Sequence, residues 1–159
     1  MIDLTTLNFE RPILIAEIGG NHNGDLDYAF ELAELAAKNG ADVVKFQTYT
    51  AEGLVNEQLA PERFAHFRRL ELPPETWGDL ADRVRALDVE WMTSLWDLDA
   101  LAVIELLVPA FKVGSGDFTN FPFLRRLVRT GKPLILSTAM CTDTDVRRTV
   151  DFLLGEDPS

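Results

Sequence analysis

Two lysines stand in runs that otherwise read as buried strands. Lys45 lies in DVVKFQT (42–48) and Lys112 in AFKVGS (110–115). A buried ammonium without a partner is costly, so each requires an anion nearby. One reading is a structural ion pair, with Glu17 of ILIAEIG (13–19) as the counterion. The other is a cradle for a phosphate or carboxylate ligand, and a pair of lysines favours it. KVGSGDFTN (112–120) adds Ser115 between Gly114 and Gly116, which let backbone N–H groups approach an anion. Taken alone, GSG fits a glycine-requiring turn equally well; after a strand lysine it reads as a phosphate-binding turn.

Alternation of side chains across a strand extends the pattern. Ile13, Ile15 and Glu17 share a face, as do Val43, Lys45 and Gln47. In the third run Val89, Trp91 and Thr93 are grouped; in the fourth, Ala110 and Lys112, with Ser115 just beyond. Ser137 and Thr138 lie near the end of the fifth. Each run begins apolar and turns polar toward its C-terminal end, the ligand-binding end of parallel α/β folds. The loop Asn21-His22-Asn23 follows the first run; Asn-Gly at 23–24 is a turn signal in itself, and a lone loop histidine is more often incidental than catalytic. His66 reads as a surface residue and Cys141, with no evident base, as a small packed one. Lys132 precedes the fifth run, at the end where stability is the expected role.

The elements that must hold these residues alternate in kind. Five apolar runs, at 13–19, 42–48, 89–95, 110–115 and 133–140, read as strands of a covered parallel sheet. Helical patterns fill 26–40, 74–88, 98–108, 121–131 and 144–155, with a short extra helix around ERFAHFRRL in the long connection 50–72. Gly40 and Gly131 mark helix ends, Asp97 and Asp143 helix starts, and Pro73-Pro74 opens the second main helix. The fold class is α/β, five βα units in one domain over 1–159, either a doubly wound sheet or part of a (β/α)8 barrel. No G-x-G-x-x-G follows the first strand, which weakens the nucleotide-binding open sheet.

Composition bounds the partners. The 159 residues carry a formal charge of −11, and the pI of about 4.5 argues against a general affinity for nucleic acid or an anionic membrane. One cysteine excludes an intramolecular disulfide, and no run approaches the roughly 20 apolar residues of a membrane span. With no secretory pattern at the N-terminus, the expected location is cytoplasmic.

IAEIGGNHNGD (15–25), VVKFQT (43–48), FKVGSGDFTNFP (111–122) and GKPLILSTAM (131–140) together resemble the sialic acid synthase family, in order and in spacing. The resemblance implies a (β/α)8 TIM barrel of which this chain holds the first five βα units. It also implies condensation of phosphoenolpyruvate with an N-acetylhexosamine aldehyde, giving a nonulosonic acid and phosphate for surface carbohydrate biosynthesis. Lys45, Thr93, Lys112 and Ser115 then match positions that hold phosphoenolpyruvate, with Ser137 also placed against substrate. Gln47 and Asp117 fall to the sugar, Asn21 to the substrate-binding rim around Glu17, and Glu17 and His22 to catalysis. A divalent metal ion, Mn2+ or Mg2+, is implied as Lewis acid, and the full-length enzyme is implied to be a homodimer.

Three departures stand beside the resemblance. Residues 93–97 read TSLWD where synthases usually have T-P-F, and Ala139 stands where the family generally has Gly. The family's two metal-binding histidines belong to later strands, so no metal ligand is assigned in this chain. The expectation is a fragment of a longer product, with an inert homologue that only binds phosphoenolpyruvate or a phosphosugar as the alternative.

Overall fold

The computed structural model describes Leu4, residues 11–96 and residues 98–156. Asp97, expected to start a helix, lies outside the described residues. Strands β1 (Ile15–Gly19), β2 (Val43–Thr48), β3 (Glu90–Leu95), β4 (Phe111–Val113) and β5 (Leu134–Leu136) form one parallel sheet in the order β1-β2-β3-β4-β5. The helices are α1 (Leu26–Lys38), α2 (Ala51–Leu54), α3 (Pro61–Leu70), α4 (Trp77–Arg85), α5 (Leu101–Leu107), α6 (Phe121–Val128) and α7 (Asp143–Glu156). Sequence reading anticipates all but the single turn of α2. Its fourth and fifth strands are longer than the three-residue ladders that form.

Strand order decides between the two α/β architectures. A doubly wound sheet reverses at a switch point and carries helices on both faces. Here every strand lies beside its predecessor, and the two faces bury different partners. Val44, Phe46, Trp91, Leu95 and Phe111 pack against residues of the helix layer such as Ala29, Leu80, Ile104 and Leu124. On the opposite face Val43, Met92 and Ala110 gather with Leu4, Ile13, Ile15 and Ile135. A sheet with its helices outside and a small apolar interior is an arc of a (β/α)8 barrel.

The register corrects one face assignment. Lys45 pairs with Met92 and Phe46 with Thr93. Glu90, Met92 and Ser94 therefore share the lysine face, while Trp91 and Thr93 face the helices. Thr93 is fully buried and its hydroxyl meets that of Thr48 at 2.7 Å. The strand is apolar on both sides, so alternation alone cannot fix its phase. The lysines are also not level: Lys112 pairs with Ser94, two residues beyond the Met92 that pairs with Lys45.

Local chemistry explains the ends of the elements. Asp25 accepts a hydrogen bond from the Tyr28 N–H and starts α1, and Asn120 does the same for α6 from the Phe123 N–H. At α7 the cap is Thr142 in place of the expected Asp143. The Thr142 hydroxyl accepts from the Asp145 N–H, and the Asp145 carboxylate accepts from the Thr142 N–H, a reciprocal capping box. Lys132 acts structurally, as its position suggests: its ammonium donates to the Glu105 and Val108 carbonyls at 2.5 and 2.6 Å, at the C-terminus of α5.

Asp42, just before β2, ties the start of the sheet together. Its carboxylate accepts from the Arg11 guanidinium and from the Leu14 N–H at 2.9 Å. The Arg11 hydrogen bond, then that of Leu14, holds this carboxyl below the ordinary aspartate range. The stabilisation is thus present above the unfolded-state value and is lost as pH falls through the lower folded one. Asp42→Asn is expected to flatten that part of the acid-unfolding profile, measured by circular dichroism between pH 5 and about 2.

Candidate active site

The C-terminal ends of the strands collect the polar side chains on the interior face. Lys45 is 5% exposed; its ammonium meets Glu17 Oε2 at 2.6 Å and donates to Ser94 Oγ at 2.8 Å. The Lys112 ammonium donates to Ser137 Oγ at 2.5 Å and to the Val113 carbonyl at 2.9 Å. Each lysine thus rests on a serine hydroxyl from the following strand or its end. Glu17, half exposed at the mouth, is the carboxylate placed to compensate Lys45. The ion-pair reading holds for Lys45, which meets Glu17, while Lys112 has only neutral oxygens among the contacts described.

That imbalance appears in the protonation of Lys112. Its pKa is pushed down, first by burial and then by the Lys45 charge, with Glu17 opposing. An anion in the mouth would favour the charged form of this lysine. Affinity for inorganic phosphate or phosphoenolpyruvate is expected to fall as pH rises through this depressed value, earlier than an ordinary lysine would allow. Titrations between pH 7 and 10.5 test this; Lys112→Arg, which stays charged, should remove the alkaline decline.

The other candidates divide between mouth and scaffold. Gln47 and Glu17 both reach within 3.5 Å of where a Cβ on Gly19 would sit, so both line the same end of β1. Ser115 opens the tight turn Ser115–Asp117 after β4, and Asp117 accepts a hydrogen bond from Asn120 Nδ2 at 3.2 Å. Asn21 turns its side-chain amide back to the Ile18 carbonyl at 2.9 Å.

His22 does not join this group. It is 2% exposed and packs on Phe46, a residue of the helix-facing core. Its Nδ1 accepts from the Gly24 N–H at 3.1 Å, which leaves the ring proton on Nε2. Burial, outweighing the Gly19 hydrogen bond and the Asp25 charge, lowers its pKa and keeps it neutral. The structure places His22 where it knits the β1–α1 turn, apart from the two lysines. Thr93, held against Thr48, likewise lies behind the lysines and not beside them.

Sequence reasoning marked Ser94 only as a departure from T-P-F, without its contact to Lys45, and missed an aromatic rim. Trp96, Tyr49 and Phe67 contact in series, with ring centroids 5.7 and 5.4 Å apart. They border two clefts: one of about 620 Å³ with Arg63 and Asp117, the other of about 410 Å³ with Asn21, Gln47 and His66. The signal was present in RFAHFRR (63–69), where aromatic and basic residues interleave on a helix taken as plain surface. His66 is exposed, as expected, but forms part of a cleft wall.

The residues do not fit a divalent metal. Among the described residues no group of three His, Cys, Asp or Glu could hold one. His22 is committed to Gly24, and His66 stands on α3 against Phe67.

Fold and side-chain placement together define an α/β-barrel type of protein with two inward lysines at the C-terminal ends of its strands. The chain belongs to the NeuB family, whose model matches residues 32–158. It is 38% identical over 151 residues to the N,N'-diacetyllegionaminic acid synthase of Legionella pneumophila, covering 87% of this chain and 42% of that protein. It is 34% identical over 139 residues to the human N-acetylneuraminate-9-phosphate synthase, covering 80% and 39%. The crystal structure of N-acetylneuraminic acid synthetase from Leptospira borgpetersenii superposes with a TM-score of 0.85 at 25% identity, covering 93% of this chain and 52% of that one. The chain spans about two fifths of the length of the curated relatives it matches. Among the described residues no helix is long and apolar enough to cross a membrane.

Proposed function

We propose that this chain carries the phosphoenolpyruvate-binding part of a synthase that makes nonulosonic acids. The observation that carries the reading is the pair of inward ammonium groups, Lys45 and Lys112, at the ligand-binding end of a barrel arc. A small, highly charged substrate suits two cations flanked by hydroxyl donors. Lys112, lacking a carboxylate of its own among the contacts described, is the natural partner for the phosphate or carboxylate of the ligand. Ser137 and the Ser115 turn lie at the same end of the strands.

In the reaction so proposed, C3 of phosphoenolpyruvate bonds to the aldehyde carbon of an open-chain N-acetylhexosamine. Water adds at C2, and the C2–O bond to phosphate breaks to give a 2-keto acid and inorganic phosphate. The lysines hold the anion through both steps. Glu17, at the mouth beside Gln47, is placed to accept or return a proton or to hold a sugar hydroxyl. Gln47, Asp117 and Asn21 face the clefts into which the sugar would extend.

The test is incubation with phosphoenolpyruvate, Mn2+ and a panel of N-acetylhexosamines, scored for phosphate and for a nine-carbon 2-keto acid. Sugar-dependent release of both supports the synthase. Saturable phosphoenolpyruvate binding with no turnover supports a second reading, a binder without catalysis. That reading needs only the two lysines and their serines, which this chain carries.

A further inference from the structure

Ser94 stands where the T-P-F pattern would place proline, and its surroundings give it work that proline could not do. It is 5% exposed on the interior face. Its Cα is paired with that of Lys112, and its hydroxyl oxygen accepts from the Lys45 ammonium at 2.8 Å. The residue therefore sits between the two cations, in register with one and bonded to the other. A serine oxygen that accepts from an ammonium keeps its own O–H to donate, and an anion between the lysines is the acceptor that geometry offers.

We propose that Ser94 is a positioning residue of the anion site: it fixes the Lys45 ammonium and turns its own hydroxyl proton toward a phosphate or carboxylate oxygen. The inference rests on the phosphoenolpyruvate reading and adds a contact that proline at this position would lack. Ser137 gives Lys112 the same support from the end of β5, so the site becomes a repeated lysine–serine pair. Glu17 holds Lys45 from the solvent side while Ser94 holds it from the next strand. A bound anion competes with Glu17 for that ammonium, whereas Ser94 can keep its contact throughout.

The experiment is calorimetric titration of phosphoenolpyruvate into the folded chain and its Ser94→Ala, Ser94→Thr, Lys45→Met and double Ser94→Ala/Lys45→Met variants, with thermal melts alongside. Ser94→Ala is expected to weaken binding roughly 10-fold, the scale of one hydrogen bond to a charged group. Ser94→Thr, which retains the hydroxyl, should recover most of that loss. Because Ser94 both fixes Lys45 and donates to the same anion, its removal should cost measurably less once Lys45 is gone, with the direct hydrogen bond's share remaining. A purely structural serine would lower the melting temperature without this pattern in affinity. Wild-type binding with an unaffected Ser94→Ala variant overturns the inference and leaves the phosphoenolpyruvate reading standing. So does an undiminished Ser94→Ala loss in the Lys45→Met background. A folded wild-type chain that binds nothing overturns both.

Discussion

Lys112→Ala should abolish most phosphoenolpyruvate binding, a loss of roughly 100-fold or more, while the melting temperature stays within a few degrees of wild type. The first half follows from charge. Lys112 is an interior cation whose described hydrogen-bond partners, Ser137 and the Val113 carbonyl, are neutral, with Glu17 the one favourable charge acting on it among those described. The second half follows from its depressed pKa. Burial and the neighbouring Lys45 both oppose the charged form in the empty site, so removal relieves a repulsion. A structural lysine would behave oppositely, with stability falling and affinity following it. Lys132, which holds the end of α5 away from the mouth, is the structural contrast: Lys132→Ala should lower stability, and anion affinity should fall only as far as the folded fraction does. Unchanged binding by Lys112→Ala would remove the basis of the site.

Gly24→Ala should be the most damaging of the simple loop substitutions, costing about 2–4 kcal/mol. Gly24 adopts φ +79°, and a Cβ there would lie 2.4 Å from the Arg69 carbonyl oxygen. The left-handed backbone alone penalises alanine by about 1–2 kcal/mol. The clash adds to it, because the obstacle is backbone at the end of α3, with the Glu71 carbonyl close behind. Relief would push the β1–α1 turn off α3, disturbing the His22–Gly24 hydrogen bond and the cleft between Asn21 and His66. Gly116→Ala is the contrast: nothing lies within 4 Å of its Cβ position, so the fold should be indifferent. Any loss of anion affinity in that variant would then report on the ligand side of the Ser115 turn. Chemical denaturation of the two variants checks the ranking; equal stability would contradict it.

These cases show why some features were legible and others were not. The alternation of runs and helical patterns yields five βα units because burial on both faces leaves a hydrophobic signature in each strand. The choice of barrel arc over open sheet needed strand order, which periodicity does not contain. Lys45 and Lys112 were visible because a charge inside an apolar run is conspicuous wherever the strand pairs. Thr93 and Ser94 are adjacent and polar in a strand buried on both sides, so only the register tells which faces inward. His22 is undecidable locally: the same loop letters suit a catalytic imidazole and one folded back onto Phe46. The aromatic rim escaped because Phe67 and Tyr49 meet only when α3 returns over the strand ends.

The account stands or falls on the anion site, and the most direct test is isothermal titration of phosphoenolpyruvate into the purified 159-residue chain, with and without Mn2+. The prediction is saturable binding that does not require the metal, since Lys45, Lys112 and their serines supply the anion contacts and no metal donor set is found among the described residues. A chain that is folded by circular dichroism yet takes up no phosphoenolpyruvate under either condition would contradict it.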